Sequence, residues 1–147
     1  MKSLIVIVPL SLLIAGNAFS QAISFRMDTV MVSHKPYVLL TKGGNGKYLV
    51  RSLAGKGLMT LHDSRTDVNG KPGYVLMFSN GGEKCMVLND GTFPKCFIAE
   101  LVKAGVIDHG EVNVLNQGVF ERQHPMPAGY IDVEDVSEGD RMRTIHR

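Results

Sequence analysis

Tryptophan is absent from this chain, cysteine occurs only twice, and aromatic residues make up 7% of the 147 positions. So few aromatics leave little material for the stacking platforms that hold sugars or single-stranded nucleic acid. An excess of charge of one sign is missing too. The formal net charge is +2, and Lys2 is the single charge before residue 21. A balance that even gives no bulk attraction to nucleic acid or to a membrane surface. No apolar run reaches the roughly 20 residues that a membrane-spanning helix needs. No internal repeat or heptad occurs.

Catalytic signatures are equally scarce. Gly-x-Ser-x-Gly, the elbow that presents a serine nucleophile, does not occur. The glycine-rich stretch Thr41–Tyr48 fails as a phosphate loop, because Thr41 stands where the first glycine belongs and Tyr48 where Ser or Thr belongs. The two cysteines, Cys85 and Cys96, are too far apart for a Cys-x-x-Cys redox motif, and no second cysteine pair completes a zinc site. Five histidines are present, none at the i, i+4 or i, i+2 spacing that gives metal ligands a common face. No metal and no other cofactor is expected. The methionines of the mature chain, such as Met59, Met77 and Met86, lie mostly in apolar runs and read as adaptable core filling.

What is present begins with an address. Lys2 is followed by an apolar run, Leu4–Ala15, and then by small and polar residues, with Ala18 and Ser20 placed for cleavage before Gln21. This is the layout of a cleavable secretory signal, so residues 1–20 are expected to be removed and the protein to reach the periplasm or the extracellular space. The remaining length suits one domain, residues 21–136. Residues 137–147 carry no apolar pattern and are expected to form a disordered tail.

Along the mature chain the pattern is mostly of period two. Ile23, Phe25 and Met27 alternate with polar neighbours and predict a first strand. Tyr37–Thr41 and Tyr48–Leu53 flank a loop with Asn45-Gly46 and predict a hairpin, since Asn-Gly readily takes positive φ. Strands are predicted at 58–62, 74–80 and 85–89, with a polar loop at 63–73. Phe97, Ile98, Leu101 and Val102 form one helical stripe that stops at Gly105, and predict a helix over about 97–104. Short strands are expected around Val112–Leu115 and Val119-Phe120, and an edge strand over Tyr130–Val136. Strands first and a late helix imply a small α+β domain on a mostly antiparallel sheet, with one main helix.

In an exported protein an even cysteine count favours a bridge. A Cys85–Cys96 disulfide is therefore expected, joining a strand to the start of the helix and adding somewhat under about 3 kcal/mol.

Function follows from these features less directly. A small exported domain with long polar loops reads as a protein-binding module: an inhibitor, an immunity or exclusion factor, or an accessory of envelope assembly. Its partner is then another protein, with no nucleic acid and no stable membrane anchor involved. The candidate contact residues are Lys42, Lys47, Arg65 and Phe93, on three loops. A second reading is an envelope hydrolase or metal-dependent enzyme using His62, Asp63, Asp108 and His109, which requires those two clusters to meet in one cleft. A third is a ligand-binding structural envelope protein, which requires an enclosed apolar pocket.

Overall fold

The computed structural model describes residues 22–64 and 73–130. The signal segment, Arg65, the 131–136 stretch and the tail lie outside the described residues.

Seven strands follow one another as a meander. They are β1 (Ile23–Arg26), β2 (Thr29–Val32), β3 (Lys35–Lys42), β4 (Lys47–Arg51), β5 (Gly57–Ser64), β6 (Gly73–Phe78) and β7 (Cys85–Leu88). Each pairs antiparallel with the next, in one sheet ordered as the chain runs. The expected first strand is a hairpin. Met27 takes φ 55° and turns the chain, so that Phe25 pairs with Val30 and Ile23 with Val32.

After β7 come α1 (Lys95–Ala104), a short hairpin of β8 (Ile107–Asp108) and β9 (Glu111–Val112), and α2 (Val114–Gln123). The fold is α+β on a mostly antiparallel sheet, as composition and order imply, but with two helices instead of one. Gly105 ends α1 in the left-handed region at φ 59°, its N–H bonding back to the last turn, as the stripe and its stop predict.

Of the strands expected around Val112–Leu115 and Val119-Phe120, only Val112 falls in a strand, β9, and the second helix replaces the rest. Its apolar residues point in several directions: Val114, Leu115 and Val119 are exposed, and only Gln117 and Phe120 are buried. Two signals hold it in place. Asn113 caps it, its Oδ1 accepting from the Asn116 N–H at 3.2 Å. Gln117 supplies a polar anchor. Its amide nitrogen donates to the Gly81 carbonyl at 2.7 Å and to Glu121 Oε1 at 2.8 Å, while its oxygen accepts from Asn80 at 2.8 Å. A buried amide with these partners ties the β6–β7 turn to the helix at no cost in unpaired polar groups.

One face of the sheet and the inner sides of the helices form the core. Val38, Val50, Leu61, Leu76 and Phe78 meet Phe97, Ile98, Leu101 and Phe120 there. Helix α1 packs against β1 at one edge of the sheet. Its first turns also line a cleft with β7 at the other edge. The sheet therefore curves around the helix.

The expected disulfide is absent: Cys85 and Cys96 are both free. The helix begins at Lys95, two residues earlier than its apolar stripe, which puts Cys96 inside its first turn. At 100° per residue Cys96 then points about 170° from the centre of the Phe97–Ile98–Leu101–Val102 stripe. Cys85 belongs to the core, at the opposite end of β7 from the loop that leads to the helix. Three strand residues, about 10 Å, separate it from that loop. Burial pushes the Cys85 thiol up to about 12.

Candidate functional site

In an antiparallel meander alternate connections fall at the same end of the sheet. The β3–β4 turn, the end of β5, the start of β6 and the β7–α1 loop all lie at one end, which is the end carrying Lys42, Lys47 and Phe93. The turn with Lys42 and Lys47 and the loop with Phe93 thus share one side of the molecule.

Local chemistry shapes each connection. In the first, Asn45 and Gly46 take φ 58° and 73°. The Gly43 N–H bonds the Lys47 carbonyl at 2.8 Å, and the Lys47 N–H bonds Gly44 at 3.2 Å. The Asp63 N–H reaches the Gly46 carbonyl at 3.4 Å, bringing the end of β5 to this turn. In the β7–α1 loop Asn89 Oδ1 accepts from the Gly91 N–H at 2.9 Å. Asp90 Oδ1 accepts from the Thr92 N–H at 2.8 Å and the Thr92 hydroxyl at 2.6 Å. Side chains that bond the backbone two residues on are what fold such a loop. The Thr92 hydroxyl, followed by its N–H, holds the Asp90 carboxyl below the usual range. Burial raises the Cys96 thiol, while hydrogen bonds from the Asp90 backbone and the Thr92 side chain pull it the other way.

Three aromatic rings bind the loops together. Tyr74, at the start of β6, stacks on Phe93 with centroids 3.8 Å apart and planes 15° from parallel. Tyr48, at the start of β4, meets both edge-on, at 4.9 Å from Phe93 and 6.0 Å from Tyr74. Phe97 continues the group into the core at 6.5 Å from Phe93. Burial raises the Tyr74 hydroxyl above its ordinary value, with smaller contributions from Tyr48, Asp63 and Cys96. Among the sequence candidates, Lys42 and Lys47 are exposed on the first turn, whereas Phe93 is half-buried and acts as the clasp between loops. The clasp is legible in the sequence only after the register is known, because Tyr48, Tyr74 and Phe93 lie on β4, β6 and the β7–α1 loop.

The acid–base clusters do not come together. His62 and Asp63 sit in the last half of β5, at the loop end. Asp108 and His109 sit on the β8–β9 turn. That turn lies at the other end, where Gly110 abuts Ser52 and Lys56 pairs with Glu111. Five strand residues from Gly57 to His62 span about 16 Å, beyond the reach of a common set of ligands or proton carriers. Asp108 Oδ1 and His109 Nδ1 contact each other on the exposed surface. Among the described residues no group of three His, Cys, Asp or Glu side chains is placed to hold a metal ion, and no helix is long and apolar enough to cross a membrane.

No protein-family model, curated protein or solved structure matches the chain.

Proposed function

We propose that the protein is a small exported protein-binding module whose contact surface is the loop end of the sheet. One observation carries this reading: the Tyr48–Tyr74–Phe93 group ties the start of β4, the start of β6 and the β7–α1 loop into one unit. Binding residues favour loops held by a rigid scaffold, because a loop that is already ordered loses less entropy on association. Lys42 and Lys47 lie on the exposed rim of that unit. An inhibitor, an immunity or exclusion factor, or an envelope-assembly accessory would act through such a surface. Export rests on the Lys2, Leu4–Ala15 and Ala18–Ser20 pattern of the first residues. Cleavage is tested by the N-terminal sequence of secreted protein, expected to begin at Gln21. The surface is tested by reversing charge at Lys42 and Lys47 and following retention of the partner.

A further inference from the structure

A cleft of about 590 Å³ lies between β7, the first turns of α1 and the segment that follows α2. Its apolar lining comes from Met86, Leu88, Ala99, Pro125 and Pro127. Two carboxylates open onto it, Asp90 from the loop and Glu100 from the helix, with His124 and Cys96 beside them. Among the described residues that line the cleft none is lysine or arginine. His124 is fixed from two sides: its Nδ1 lies 3.0 Å from the Phe120 carbonyl and its Nε2 3.5 Å from Glu100 Oε2.

The edge of β7 adds a backbone acceptor. The Met86 N–H points away from β6 and donates to the His124 carbonyl at 2.9 Å, and Cys85 bridges Pro125. Strand alternation turns the Leu88 N–H and C=O to the same side as those of Met86. The chain that pairs with the edge at Cys85 and Met86 has become helix α2 before it reaches the position opposite Leu88.

We propose that this cleft receives a lysine or arginine side chain presented by a partner polypeptide. The aliphatic stem of such a side chain covers apolar surface while its cationic head stays with polar groups. Here the stem lies on Met86, Ala99 and Pro125, and the head meets the carboxylates of Asp90 and Glu100 and the Leu88 carbonyl. The partner's chemistry follows from the cleft's own: acidic groups at the rim over an apolar floor. The inference rests on the reading that the ligand is another protein; the cleft shares the β7–α1 loop with the loop-end surface through Asp90, but Lys42 and Lys47 do not line it.

The test titrates the mature chain with Nα-acetyl-arginine amide and with its uncharged citrulline analogue, following backbone amides by NMR. Blocked termini leave the side chain as the sole cation. Saturable shifts are expected at Leu88, Ala99 and Glu100 with the arginine probe, and roughly tenfold weaker binding with citrulline. In the variant carrying Asp90→Asn and Glu100→Gln, whose spectral dispersion reports folding, the preference for arginine is expected to vanish. Absence of saturable shifts at those amides, or equal binding of the two probes by the wild-type chain, would overturn the proposal. So would an unchanged preference in the double variant. Each of these results leaves the role of Lys42 and Lys47 untouched, because charge reversal at those two residues reads it separately.

Discussion

Tyr74 and Phe93 lie face to face, 3.8 Å apart at their ring centroids and 15° from parallel. Nineteen positions of sequence separate them, and the stack closes the β7–α1 loop onto the start of β6. Tyr48 braces both rings edge-on. Replacing Phe93 with alanine is expected to cost about 1–3 kcal/mol, less than a fully buried aromatic because the ring is half-exposed. The check is a denaturant midpoint. Tyr74→Ala should cost a similar amount, and the double variant less than the sum of the two, since both remove the same stack.

The free cysteines give a second expectation. With no bridge between Cys85 and Cys96, a reducing agent should leave the melting temperature unchanged. A thiol reagent should count two thiols in the denatured chain. In the folded chain it should react with Cys96 first, because Cys85 is wholly buried in the core. A drop in melting temperature on reduction would mean that the sulfurs pair after all.

The sequence carries the sheet better than the helices. Asn45-Gly46, with strand residues on both sides, is a local signal, and its positive φ angles depend on nothing remote. The α1 stripe is local as well. Helix α2 is not, because a glutamine and a phenylalanine face inward while Val114 and Leu115 stay exposed, so neither period appears in the apolar pattern. Its anchor, Gln117 on Asn80 and Gly81, becomes visible only once the chain has folded. The disulfide expectation fails on a boundary. Two more residues at the start of α1 decide which way Cys96 points. The loop-end site is half legible: Lys42 and Lys47 read as loop residues from the turn signal between them, but Phe93 gives its side chain to the clasp.

Alkaline conditions should destabilise the fold through two groups. An unfolded Cys85 ionises near 9.0, whereas burial in the core pushes it up to about 12. Its contribution is fully present below pH 9 and is lost as pH rises toward 12. Burial likewise carries Tyr37 from 10.0 to about 12. Each group should steepen the fall by up to about 1.4 kcal/mol per pH unit once its unfolded form ionises. The Tyr37 hydroxyl is buried with no hydrogen-bond partner among the described residues. Tyr37→Phe should therefore raise stability near pH 7, by about 1 kcal/mol, and remove the part of the alkaline loss that begins near pH 10. Denaturant midpoints from pH 7 to 11 separate the two effects.

Two glycines should respond to different extents to the same substitution. Gly82 takes φ 121°, and a Cβ there would run into Glu121 Oε1 and Gln117 Nε2. Gly82→Ala should cost more than about 1 kcal/mol by straining the backbone and displacing the Gln117 anchor. At Gly44 an added Cβ would meet nothing within 4 Å, and φ is not positive, so Gly44→Ala should stay within about 0.5 kcal/mol. Thermal unfolding of the two variants side by side is the check.

The end carrying Lys42, Lys47 and the aromatic clasp is expected to meet a protein partner. The most direct measurement compares three forms of the mature chain, immobilised and exposed to envelope extract: wild type, Lys42→Glu with Lys47→Glu, and Lys35→Glu at the other end of β3. One specific partner is expected to be retained by the wild type and by Lys35→Glu and lost by the double reversal, with all three forms folded. Equal retention by all three, or a loss confined to Lys35→Glu, would contradict it.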